Sequence, residues 1–123
     1  MRGDVLVIED KHRKAAKQAM EIIGPEIAKN QEGFAVSVAG ESGAGKSEIA
    51  SVLSDLLKEK GIKNVILQQD DYFVFPPKIN HEMRRRNLEQ VGPYEVKLDF
   101  LNSNLRSFKR GESPIYKPLV IFD

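Results

Sequence analysis

The sequence predicts an α/β fold of three layers, α/β/α, around a mainly parallel sheet, and three observations carry that prediction. An apolar run, Phe34 to Ala39, leads straight into a glycine-rich stretch; a helical pattern starts at Lys46; and a second apolar run, Val65-Ile66-Leu67, follows it. A nearly continuous apolar run suits a strand buried on both faces, as in a parallel sheet, and strands alternating with helices suit β-α-β units.

Taken in order, Val5 to Ile8 reads as a short strand, and Lys11 to Asn30 as a helix through Ala15, Ala19, Ile22 and Ile23. Gly24-Pro25 is expected to kink or restart that helix. Phe34 to Ala39 is the next strand, and the helix from Lys46 to about Lys60 sets Ile49, Leu53, Leu56 and Leu57 on one face, with Gly61 at its stop. Asn64 to Gln69 is a further strand, so residues 34–69 form a β-α-β unit whose crossover is expected to be right-handed. Pro76-Pro77 halts regular structure, and Asn80 is expected to cap a short helix carrying Arg84, Arg85 and Arg86. Val96 to Arg110 reads as a helix on Leu98, Leu101, Leu105 and Phe108, stopped at Gly111. Ile115 to Phe122, broken by Pro118, reads as an edge strand. Residues 1–33 thus make a strand and helix extension, and residues 34–123 the main domain.

Composition narrows the function classes. A chain of 123 residues, 41% hydrophobic and 30% charged, fits one soluble globular core. A net charge of +1 gives no broad footprint for nucleic acid or an anionic membrane. The absence of cysteine rules out disulfides, thiolate metal sites and a cysteine nucleophile, and fits a reducing compartment; the cytoplasm is the expected location. The N-terminal apolar stretch is closed by acids rather than built as a signal peptide, and no run has the length of a membrane span.

The glycine-rich stretch is Gly40-Glu41-Ser42-Gly43-Ala44-Gly45-Lys46-Ser47, the P-loop or Walker A pattern. Its glycines accept backbone angles that a Cβ forbids, so successive N–H groups can turn around phosphate oxygens. Lys46 reaches the β- and γ-phosphates, Ser47 offers a hydroxyl to Mg²⁺, and the helix that begins there points its positive end at the anion. The expected ligands are ATP and Mg²⁺ on residues 40–47, and the expected architecture is of the P-loop NTPase type. The octet by itself resembles the myosin motor loop, but a myosin head is many times longer than this chain. Discrimination must come from elsewhere.

It comes from the end of the next predicted strand, Gln69-Asp70-Asp71-Tyr72-Phe73. Carboxylates at a strand's carboxyl end stand where open α/β sheets bind ligands, and can take a proton from an attacking hydroxyl or help hold Mg²⁺. An Asp pair can also simply cap a turn.

With these two motifs, and a later helix closing at Lys109-Arg110-Gly111 before a proline-containing strand, residues 34–122 resemble the uridine kinase and phosphoribulokinase group of P-loop kinases. The resemblance implies an ATP-dependent transferase acting on a small-molecule hydroxyl, most simply a nucleoside. It implies Asp70 as catalytic base and Mg²⁺ neighbour, Lys46 as its catalytic partner on the phosphates, Ser47 on the metal, and Asp71, Tyr72 and Phe73 on the acceptor side. The family's later Pro-x-Tyr-Asp stands here as Pro118-Leu119-Val120-Ile121, without the tyrosine and acid, and its acidic segment is only loosely echoed by Asn87-Leu88-Glu89 and Pro93-Tyr94-Glu95. Its lid and adenine-side elements fall beyond Asp123, so the resemblance implies the N-terminal part of such a domain, truncated relative to the family.

Other readings stay open. Arg84 to Arg86 can grip an acceptor phosphate, which suits a sugar phosphate, or form a solvated helix face; pantothenate is a further acceptor. A regulatory or switch NTPase module is the rival from another class, although no Asn-Lys-x-Asp guanine motif occurs. His12 and His81 have no metal-ligand spacing and read as surface residues. The N-terminal amphipathic helix can pack on the sheet edge or support a homo-oligomer.

Overall fold

The computed structural model of the chain describes residues 5–30, 33–41, 43–74, 77–86, 95–112 and 115–118. They fall into two compact units, one spanning Val5–Ile66 and the other made of the described residues from Leu67 onward. The N-terminal helix thus shares a unit with the glycine loop.

The first unit is built on two helices, α1 (Asp10–Lys29) and α2 (Lys46–Glu59). Each is amphipathic, and each buries its apolar stripe against the other: Ala16 and Met20 of α1 meet Val52 and Leu53 of α2. Ile8, Ala19, Ile23, Val38, Ile49, Leu56 and Leu57 pack around that centre. At the start of α1 the Glu9 backbone N–H donates to Nδ1 of His12 at 3.0 Å, which satisfies one orphan donor of the first turn. The helix then passes unbroken through Gly24-Pro25. Proline there removes only the bond to the Glu21 carbonyl, and the Asn30 N–H closes the end onto Glu26 O at 3.1 Å and Ile27 O at 3.1 Å.

α2 stops where the sequence says it will. Gly61 takes φ +76°, its N–H bonds Lys58 O at 2.9 Å and the Ile62 N–H bonds Leu57 O at 2.9 Å, the paired bonds of a Schellman motif. Asn64 then ties the following segment back to α2, its Nδ2 donating to Ser54 O and to Ile62 O, each at 3.2 Å.

In the second unit a 3₁₀ turn, Gln69–Tyr72, precedes α3 (Pro77–Arg86) and α4 (Leu98–Lys109). Pro77 opens α3, where its missing N–H costs nothing, so Asn80 lies inside the helix rather than capping it. α4 ends in a second Schellman pair, with Gly111 at φ +73°, Gly111 N–H on Phe108 O and Glu112 N–H on Ser107 O, both at 3.0 Å. Its most buried residue is polar: Asn104 is 7% exposed, whereas Leu98 is 38% exposed.

The predicted three-layer α/β/α architecture with a parallel sheet is not what these residues adopt. Among the described residues there are helices and no strand or sheet, and the single ladder contact is an antiparallel bridge between Phe73 and Val96. Residues 5–8, 33–40 and 62–68 carry no strand pairing, and residues 115–118 are irregular as well; residues 119–122 of that predicted strand lie outside the described set. The physical reason is the missing cover. A parallel sheet needs helices on both faces of its strands, but here α1 and α2 satisfy each other, leaving Val36 43% and Val65 57% exposed. With no paired neighbours, no β-α-β crossover closes. No described helix is long and apolar enough to cross a membrane.

Candidate functional site

The glycine loop occupies the connection into α2. Gly43 (φ +81°) and Gly45 (φ +87°) both sit in the left-handed region, so the chain turns twice in a way that a Cβ would oppose. The Ala44 N–H closes a tight turn on Glu41 O at 3.1 Å. Gly45 is the N-cap of α2 and has no side chain to cap with; its carbonyl accepts the first helical bond from Ile49 N–H at 2.9 Å. The opening N–H groups of α2 are thus without an intrahelical partner, on the positive end of the helix.

Lys46 folds back over the turn, its Nζ donating to Gly40 O at 2.6 Å and Glu41 O at 3.0 Å. Ser47 lies half-buried on the first turn of α2, and its hydroxyl makes no bond among the described residues. Gly40, Glu41, Gly43 and Ala44 are exposed; Ser42 lies outside the described residues.

His12 is a residue that sequence reading places on the surface. It is 8% exposed, and a Cβ built on Gly45 would stand 2.8 Å from its Nε2. Gly45 is therefore demanded twice, by its backbone angle and by the imidazole against it. His81, in contrast, is exposed on α3.

Asp70, Asp71, Tyr72 and Phe73 belong to the second unit, and they are not alike. Tyr72 is fully buried: its ring meets Phe100 edge-on at 5.7 Å, and its hydroxyl accepts from Asn104 Nδ2 at 2.8 Å. The Tyr72 carbonyl accepts from Lys97 N–H at 2.6 Å, and Val74 N–H donates to Glu95 O at 2.8 Å, the two bonds that frame the Phe73–Val96 bridge. Asp71 is 2% exposed and takes a 2.6 Å ion pair from Lys117. Burial pushes its carboxyl pKa up, but the hydrogen bond from Lys117 leads the opposing effects, the Lys117 charge acts the same way, and the net lies below the ordinary 3.8. Asp70 is half-buried, and its carboxylate has no partner among the described residues.

Sequence patterning had no means of finding Asn104 or Lys117. The first occupies a helical face position that apolar spacing passes over, and the second meets Asp71 across 46 residues of chain. Of the arginine run, Arg85 and Arg86 are exposed, and the Arg84 side chain lies outside the described residues. Residues 87–94, which include Asn87, Glu89 and Pro93, lie outside them too.

The described residues hold no cluster of three or more metal-ligating side chains. Mg²⁺ needs none, because it keeps waters and takes one or two protein oxygens besides the phosphates. A hydroxyl on the first helical turn beside a lysine and uncapped N–H groups fits a metal–triphosphate pair. No family model matches this sequence, and no curated protein or solved structure matches it.

Proposed function

We propose that this protein binds ATP with Mg²⁺ at Gly40–Ser47 and transfers the γ-phosphoryl group to a hydroxyl of a small molecule, with a nucleoside as first candidate acceptor. One observation carries the reading: the loop combines two left-handed glycines and an N-cap without a capping side chain with a lysine folded over the same turn. These are the groups a phosphate chain requires, arranged on one short segment.

In this reading the loop N–H groups bind the phosphates and Lys46 turns from its two carbonyls to the β- and γ-oxygens. Ser47 is the residue of the loop that would hold Mg²⁺, and the bound ion would supply charge neutralisation on the phosphates. Asp70 orients the acceptor hydroxyl and takes its proton. The acceptor oxygen forms a bond to the γ-phosphorus as the bond from that phosphorus to the β–γ bridging oxygen breaks, and ADP leaves. Asp70 supports the role better than its neighbour does, since its carboxylate is uncommitted while that of Asp71 is held by Lys117.

The test is paired. Lys46→Ala should weaken ATP binding roughly 10- to 150-fold, the range for a charge-assisted hydrogen bond. Asp70→Asn should keep binding and lose transfer to uridine, cytidine, pantothenate and sugar phosphates. Unchanged ATP affinity in the lysine variant would sink the loop reading. Hydrolysis that ignores every acceptor and tolerates Asp70→Asn would replace the kinase with a switch NTPase.

A further inference from the structure

The N-terminal helix contributes to the loop something that the motif does not contain. His12 lies one turn into α1, more than nine-tenths buried, and its two ring nitrogens have different fates. Nδ1 accepts the Glu9 N–H at 3.0 Å. A ring nitrogen that accepts carries no hydrogen, so the imidazole hydrogen sits on Nε2. That Nε2 faces Gly45, 2.8 Å from where a Cβ would stand, and has no hydrogen-bond partner among the described residues. No fully buried side-chain nitrogen or oxygen of the described residues lacks a partner, so Nε2 must reach the surface of the unit. A donor is thus fixed in tautomer and direction, held by the capping contact behind it, and aimed at the N-cap of α2.

We propose that His12 is a phosphate ligand of the glycine loop: its Nε2–H donates to an oxygen of the polyphosphate anion held by Gly40–Ser47. The inference rests on the reading of that loop as a triphosphate site, and it makes α1 part of the site. The contact is polar and directional where Lys46 is a mobile point charge, so it selects the placement of the anion along the α2 axis. Gly45 is what admits it, because a side chain there would displace the ring.

The experiment uses the full chain, inorganic triphosphate as probe, and ¹⁵N NMR of the imidazoles. Adding triphosphate should move the His12 Nε2 resonance and leave that of exposed His81 in place. His12→Phe, which keeps a ring and loses the donor, should bind triphosphate about tenfold more weakly or worse, and His12→Gln should recover most of the affinity by restoring an N–H. Should His12→Phe fail to fold by thermal unfolding, the resonance shift in the unaltered chain decides. Binding that depends on Lys46 while His12 Nε2 stays unmoved overturns this inference and spares the loop reading. Absence of any triphosphate binding overturns both.

Discussion

The glycine loop and the segment Asp70–Phe73 meet the same chemical requirement in sequence, polar groups set at the end of an apolar run, but they handle it in opposite ways. In the loop the polar groups are left open: the first N–H groups of α2 have no capping side chain, the Ser47 hydroxyl is uncommitted, and Gly40 and Gly43 are exposed. In Asp70–Phe73 they are mostly turned in. Tyr72 is bonded to Asn104, Asp71 to Lys117, and both are buried. Two adjacent carboxylates are therefore treated differently: that of Asp71 is held by Lys117, and that of Asp70 stays open.

The strongest way to break that contrast is Tyr72→Ala. If Tyr72 is core rather than acceptor pocket, the variant loses about 3–5 kcal/mol in urea unfolding, as large-to-small changes at buried aromatics do. A loss under about 1 kcal/mol would return Tyr72 to the acceptor surface and dissolve the comparison.

A sharper test on the loop side compares its two strained glycines. Both have positive φ, but a Cβ at Gly43 meets nothing within 4 Å, whereas one at Gly45 meets His12. Gly43→Ala should cost about 1 kcal/mol of backbone strain, and Gly45→Ala roughly 2–3 kcal/mol because the imidazole must also move. Equal shifts in thermal unfolding would mean that α1 does not press on the loop.

The smallest effect concerns pH. Asp71 has a lowered pKa in the folded chain, so its contribution is full above the unfolded value near 3.8 and is lost as the pH falls through the lowered folded value. Lys117→Met should flatten the fall in stability below about pH 4, measured by urea unfolding along a pH series. An unchanged slope would show that Lys117 does not set the charge of Asp71.

How much was legible in the sequence follows the reach of each interaction. α2 and α4 were, with their stops at Gly61 and Gly111, because helix periodicity and the left-handed cap are written within a few residues. The glycine loop was legible for the same reason. The strands were not, because an apolar run such as Phe34 to Ala39 is a strand only if another strand pairs with it, and that partner is not a local property. A restart at Pro25, one of the two outcomes expected there, does not occur, because a proline inside a helix removes one bond and the packing of Ala16 and Met20 on α2 outweighs it. His12 was misplaced because its burial depends on α1 lying over α2, a fact of the helix pair rather than of any spacing.

Pro25 has a further consequence for α1. All three buried residues of the helix, His12, Ala16 and Met20, precede it, and none follows. The turn beyond the proline, Glu26 to Lys29, can therefore fray, take an insertion or be cut without disturbing the core or the imidazole at the loop. What α1 gives to the core and to the glycine loop is therefore complete before the proline.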